Sequence, residues 1–148
     1  MNLKELTIKQ THELLKKKEI SSVELTEEFL KNIKEKDEDI HAFLSVNEEE
    51  AIASAKSVDE KIAKGEPQEV LAGIPAAIKD NILIRGAKAT AASKILENYI
   101  APYDATVIKK LKEEEAVVIG KTNMDEFAMG SSTENSAFGP TKNPVDLK

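Results

Sequence analysis

Apolar side chains recur with helical spacing along the first 70 residues of the chain. Thr7 can cap a first helix, and Ser21 and Glu24 have the spacing of a capping box for a second. The three glutamates after Asn47 suit the first turn of a third helix, which Gly65 ends. This part of the sequence therefore predicts a layer of three helices.

Beyond residue 70 the pattern changes to short, continuous apolar runs. Residues 71–78 and 116–120 form such runs, which are typical of strands that are buried on both faces. Asp104 can cap a helix between them, and the order strand, helix, strand is that of a βαβ unit. The sequence therefore predicts an α/β fold with a partly parallel sheet, divided into a helical layer, 1–70, and part of an α/β core, 71–148.

Composition and charge exclude several functional classes. The chain has 21 Lys and Arg against 27 Asp and Glu, and this net charge of −6 argues against binding nucleic acid or an anionic membrane through the overall field. It has no Cys and only 2 His, so we expect no disulfide, no thiolate nucleophile and no metal site. No long apolar run occurs near the N-terminus, and we expect a cytoplasmic protein that does not enter a membrane.

Polar residues follow both predicted strands. Lys79, Asp80 and Asn81 come after the first strand, and Lys121 begins the cluster after the second. In open α/β sheets, ligands bind beyond the carboxyl ends of the strands. Lys79 follows eight uncharged residues, so we expect its stem to run into the interior, where a lysine can act as a base. The alternative is a structural ion pair between Lys79 and Asp80.

Two other motifs are weaker. Residues 119–122 resemble the end of a phosphate-binding loop, but Glu115 stands where that motif requires glycine, which excludes an NTPase. Residues 129–136 are rich in hydroxyl groups and could bind a substrate carbonyl or order a neighbouring nucleophile, or could be a simple surface turn. Neither histidine is near this segment in the sequence, so a Ser-His-Asp triad is poorly supported.

Three segments taken together resemble the amidase-signature family. They are GIPAAIKDN (73–81), PYDAT (102–106) and the stretch from GKTNMDEFAMGSSTENS to GPTKNP (120–144). The resemblance implies the mixed-sheet α/β fold of that family. It also implies a triad of a nucleophilic serine, a serine after a cis peptide bond, and a lysine base that corresponds to Lys79.

The resemblance further implies that Met129, Gly130 and Ser131 lie on the substrate side of the site. The run that carries the cis serine in the family follows the Asn-Pro pair, and the nucleophile comes later still. The chain ends at Lys148, before both, so we expect it to be inactive alone. Glu115 occupies a helix-end position where the family often has Gly or Asn, and a Glu forced into left-handed backbone there would be strained.

The DEFAMGSSTENS stretch favours the branch of the family that works in tRNA-dependent amidotransferases. The resemblance implies that the members of this branch are glutaminase subunits, which hydrolyse glutamine. The ammonia that they release is used to convert Glu-tRNA(Gln) or Asp-tRNA(Asn) to the amidated form. The resemblance then implies partner subunits B and C, contact with tRNA only through the complex, and ATP and Mg at the partner subunit, with no cofactor in this chain.

Two other interpretations stay open. One is a non-catalytic α/β domain that self-associates or docks to partner subunits, and the other is an amidase-signature hydrolase that acts on a different amide. If the chain is a fragment, an unpaired strand edge and partly uncovered apolar faces at 71–78 and 116–119 predict a homo-oligomer.

Overall fold

The computed structural model describes residues 2–147 of the chain. Its regular elements are, in order, α1 (Ile8–Lys16), α2 (Ser22–Ile40), β1 (Phe43–Val46), α3 (Glu48–Lys64), β2 (Pro75–Lys79), α4 (Thr106–Glu113) and β3 (Val117–Thr122). Short 3-10 turns lie at Leu3–Glu5, Lys94–Leu96 and Glu126–Ala128. Within the described residues, no helix is both long enough and apolar enough to cross a bilayer.

The three strands form one sheet in the order β1-β3-β2. Strand β1 is antiparallel to β3. Next to β2, the amide of Val117 donates to the carbonyl of Ile74 at 2.9 Å, and the amide of Asp80 donates to the carbonyl of Thr122 at 3.1 Å. These bonds advance in the same direction along both strands, as in a parallel pair. The sheet is therefore mixed, and the predicted α/β fold class is confirmed.

Strand β1 lies inside the stretch that the sequence assigned entirely to helix, and that assignment is wrong at this point. Helix α2 ends at Ile40, and the next residue, His41, has a left-handed φ of 58°. The Asp37 carboxylate then accepts hydrogen bonds from the amides of Ala42, at 2.7 Å, and Phe43, at 3.1 Å. One side chain thus turns the chain from helix into strand, and four strand residues are too few to show an alternating pattern.

The described chain divides into two compact units, each built from separated stretches. The first unit contains residues up to Ile33, Asn47–Ala76 and Lys110–Ile119. Its apolar cluster draws on α1, α3 and the approach to β2, and consists of Leu15, Val58, Ile62, Ala72 and Ile74, with Ile20 packed against it. The units do not coincide with a division at residue 70, because the first takes residues from both sides of it.

Left-handed residues end the α-helices in the described chain. Lys18, His41 and Glu115 have φ values of 59°, 58° and 58°, and Gly65 has φ of 75°. The left-handed conformation expected at Glu115 is confirmed. Its carboxylate pairs with Lys61, which raises the pKa of that lysine through a hydrogen bond and through charge attraction.

The second unit contains Lys34–Val46, Ala77–Lys109 and the chain from Gly120 onward. Much of it is irregular and is held by side-chain hydrogen bonds. The Asn123 side-chain amide nitrogen donates to the Gly139 carbonyl at 2.8 Å and to Thr141 Oγ1 at 3.1 Å. Its oxygen accepts from Ser136 Oγ at 2.7 Å. Asn123 therefore anchors the polar segment that follows it.

Candidate active site

Lys79, the last residue of β2, lies at the strand end that the sequence indicated, but its side chain is exposed. Ile78 and Asp80 are 5% and 1% exposed, so the side chains alternate between two faces. The expectation that the Lys79 stem is buried is wrong for this chain. A run of uncharged residues does not reveal which face of the strand is covered.

The alternative of a Lys79–Asp80 ion pair is also wrong, because Asp80 pairs with Lys121 of β3. Lys121 Nζ lies 3.0 Å from Asp80 Oδ1 and donates to the Lys88 carbonyl at 3.1 Å. Lys121 is 0% exposed, which makes it the buried lysine of this strand-end cluster. Within residues 2–147 the structure shows no ion pair or side-chain hydrogen bond for Lys79.

The second oxygen of Asp80 binds the turn that begins at Thr90. Asp80 Oδ2 accepts from the Thr90 amide at 2.8 Å and from Thr90 Oγ1 at 2.5 Å. Ala91 and Ala92 follow with φ of 49° and 53°, a conformation that costs energy for any residue with a Cβ atom. Such backbone persists only where surrounding contacts enforce it, and it is common at functional sites.

Met129, Gly130 and Ser131, predicted on the substrate side, lie in an exposed loop of the same unit. The loop wraps around the Asp125 carboxylate, which is 4% exposed. Oδ2 accepts from the amide of Thr133 at 3.0 Å and from that of Ser132 at 3.1 Å, and Oδ1 accepts from that of Asn135 at 3.1 Å. These backbone amides favour the charged carboxylate and so lower the pKa of Asp125, and the amide of Thr133 has the largest effect.

Position 130 requires glycine because the Asp125 carboxylate lies too close to leave room for a side chain. A Cβ atom built on Gly130 would lie 2.4 Å from Asp125 Cγ, and the carboxylate is held by its donors. The glycine of the predicted substrate segment therefore has a packing role, whatever else it does. No sequence pattern could show this contact, because it depends on the folded path of the loop.

The neighbouring hydroxyl groups are occupied. Ser132 Oγ donates to Glu134 at 2.9 Å, and Ser136 Oγ donates to Asn123. Among residues 2–147 there is no group of three or more His, Cys, Asp or Glu side chains placed to hold a metal ion. The Lys79 amine is exposed at the end of β2 in this unit.

A mixed sheet with a lysine at a strand end, and a glycine- and hydroxyl-rich loop in the same unit, agrees with the resemblance to the amidase-signature family. The amidase family model matches residues 24–148, and the chain belongs to this family.

Relatives with high sequence identity are A subunits of glutamyl-tRNA(Gln) amidotransferase. The A subunit of glutamyl-tRNA(Gln) amidotransferase from Thermoanaerobacter pseudethanolicus is 55% identical over 99% of this chain, which spans 30% of that protein. The same subunit from Gloeobacter violaceus is 53% identical over 95% of the chain and 29% of its own length. The chain thus spans about a third of the length of these relatives.

A solved structure of the A subunit of glutamyl-tRNA(Gln) amidotransferase from Thermotoga maritima matches with a TM-score of 0.76 and 43% identity, over 99% of this chain and 29% of that one. It supports both the fold and the branch of the family.

Proposed function

We propose that this chain is the N-terminal part of the glutaminase subunit of a tRNA-dependent amidotransferase. The observation that carries the proposal is the 55% identity to the A subunit of such an enzyme over 99% of the chain. We propose that the longer protein hydrolyses glutamine and so supplies ammonia for amidating Glu-tRNA(Gln) or Asp-tRNA(Asn). The high identity to this branch favours it over a hydrolase of another amide.

Lys79 is the general base of the proposed site. Its support is the position at the carboxyl end of β2 and a side chain that the described structure leaves exposed. Asp80 is engaged by Lys121, so the adjacent carboxylate is not available to pair with Lys79. A base must reach the proton that it removes, so the proposal requires that the rest of the longer protein covers the Lys79 amine and completes the site around it.

Met129, Gly130 and Ser131 are the proposed substrate-side residues, and their support is an exposed loop held in one conformation around Asp125. Subunits B and C are the proposed partners. We propose that ATP and Mg bind at a partner subunit, and that tRNA is contacted only through the complex.

Ammonia release from glutamine tests the proposal. The 148-residue chain alone is expected to show none above background, since covalent acyl transfer needs a nucleophile within reach of the base. In a full-length protein that contains this segment, Lys79→Ala should lower the rate by about two to four orders of magnitude. Activity close to wild type in that variant, with the fold intact by circular dichroism, would contradict the assignment.

The control should be an exposed lysine. Lys121→Ala is unsuitable because Lys121 is buried and paired with Asp80. Removing one partner of a buried pair leaves an uncompensated charge and destabilises the fold. Lys109→Ala, on the exposed side of α4, keeps the same chemical change without this effect.

A further inference from the structure

The Asp80–Lys121 ion pair takes no chemical step in the proposed function. Both residues are enclosed, at 1% and 0% exposure. Burying two charges costs desolvation energy, and apolar replacements of such pairs are often neutral or stabilising. Stability alone is therefore a weak explanation for this pair, and its contacts indicate another one.

The pair fixes the direction of Lys79. The Asp80 amide donates to the Thr122 carbonyl of β3 at 3.1 Å, while the Asp80 side chain is bound to Lys121 on the same strand. Asp80 is thus attached to β3 by both its backbone and its carboxylate. Because neighbouring side chains in a strand point to opposite faces, this attachment directs Lys79 to the exposed face.

The pair also reaches the loop of the predicted substrate residues. Asp80 holds Thr90, and Thr90 Oγ1 accepts from the Ala92 amide at 3.1 Å. The carbonyls of Ala91 and Ala92 accept, at 2.9 Å each, from the amides of Phe127 and Ala137. These two amides lie on either side of Met129–Ser131. Since Ala91 and Ala92 are left-handed, the turn depends on its attachment to Asp80.

We propose that Asp80 and Lys121 are positioning residues for the amidase site. One ion pair sets the direction of the base at the end of β2 and, through the Thr90–Ala92 turn, the path of the loop that carries Met129, Gly130 and Ser131. The catalytic part of this inference rests on the proposed function. The structural coupling between Asp80 and the loop does not.

Amide hydrogen exchange on the 148-residue chain tests the coupling. In Asp80→Asn, the amides of Phe127 and Ala137 should exchange at least about tenfold faster, while those of α3 keep their rates. The matched control is Asp39→Asn, an exposed aspartate of α2 in the same unit, which should leave both amides unchanged. Unchanged exchange at Phe127 and Ala137 in Asp80→Asn would overturn the proposal.

Asp80→Asn leaves Lys121 buried without its partner, so a second variant guards against loss of the fold. Thr90→Val keeps the ion pair and removes the Oγ1 contacts to Asp80 and Ala92. It should raise exchange at Phe127 and Ala137 in the same pattern. Slow exchange there in a folded Thr90→Val protein would show that the turn does not transmit the attachment, and would also overturn the proposal.

Kinetics in a full-length protein that contains this segment test the catalytic part. Asp80→Asn should lower kcat per folded molecule by about 100-fold and also raise KM, because misplacement of about 1 Å has effects of this size. Lys121→Arg, which keeps the charge, should retain more activity than Lys121→Met. If Lys79→Ala is inactive and Asp80→Asn keeps wild-type kcat, the positioning role is wrong. If Lys79→Ala is fully active, the proposed function is wrong, and the exchange result still decides the coupling.

Discussion

Two buried carboxylates of the second unit are stabilised by different means. Asp80 is held by the lysine ammonium of Lys121 and by Thr90. Asp125 is held by a series of amides from its own loop. The first arrangement depends on a charged partner from the neighbouring strand β3, which is distant in sequence. The second depends on the local backbone conformation, so loop order and the charge on Asp125 are linked.

This linkage predicts a pH dependence of stability. The pKa of Asp125 lies below its ordinary 3.8 in the folded chain, because the backbone amides favour the charged form. Its contribution is therefore fully present above the unfolded value and is lost as the pH falls through the folded value. Urea unfolding of wild type and Asp125→Asn should show a stability difference that is constant at neutral pH and shrinks below about pH 4. A difference that stays unchanged in acid would contradict the role of the charge.

At the level of the helices, left-handed residues with side chains end three elements where glycine is the usual choice. In α1 the Glu19 amide donates to the Leu14 carbonyl at 2.9 Å across a left-handed Lys18. A residue with a Cβ atom in this conformation costs about 1–2 kcal/mol. The helix ends thus hold removable strain.

Lys18→Gly should stabilise the chain by about 0.5–1 kcal/mol, after the entropy that glycine adds to the unfolded state. The matched control is the preceding residue, Lys17, whose φ of −79° and ψ of −4° are right-handed. Lys17→Gly should destabilise by about 0.5–1 kcal/mol. Thermal or urea unfolding compares the two variants. Lys18→Gly also removes the 3.4 Å hydrogen bond from Lys18 Nζ to the Ala63 carbonyl. Loss of stability in both variants would therefore show that the strain released at Lys18 is smaller than the contribution of this contact, contrary to the prediction.

The sequence predicted elements best where local signals agree. Helix α3 runs over Glu48–Lys64. The glutamates that predicted its start form its first turn, and Gly65, which predicted its end, follows it directly. Strand β2 begins at Pro75 rather than at residue 71, because Gly73 is left-handed and its amide donates to the Glu115 carbonyl. An apolar run is compatible with a buried turn as well as with a strand, and a contact between distant residues decides between them.

The same limit applies to the candidate site. The position of Lys79 at a strand end was predictable, since it follows from one apolar run. The partner of Asp80 was not, because Lys121 is on another strand and both neighbouring lysines follow apolar runs. Local patterns place residues on elements. Packing between elements decides which of two lysines is buried.

For the whole molecule, the sheet order leaves β1 and β2 as edge strands within the described chain. Ile74, Ile78, Val117 and Ile119 are buried, whereas Ala77 is exposed and Leu71, Ala76 and Val118 are half-buried, so the apolar runs at 71–78 and 116–119 are partly uncovered, as expected. Large exposed apolar side chains occur elsewhere, among them Ile95 at 82% and Met129 at 72%. Any association is therefore expected to use strand edges and these side chains.

We propose that the purified chain forms a dimer or a higher oligomer, because unpaired edges and exposed apolar groups tend to be covered by another copy. Light scattering coupled to size exclusion measures the mass. Ile95→Lys should shift the distribution toward monomer. A monodisperse wild-type monomer at high micromolar concentration would contradict the prediction.

Each compact unit is assembled from stretches that alternate along the chain, and the first is complete only at Ile119. During synthesis, the N-terminal helices therefore emerge from the ribosome long before the residues that finish their unit. Contacts between residues that are far apart in sequence form slowly. A unit that is not yet complete exposes apolar surface during this time. Helices α2 and α3 carry many exposed charged side chains. We expect these charges to limit aggregation of the N-terminal helices until residues 110–119 have been synthesised.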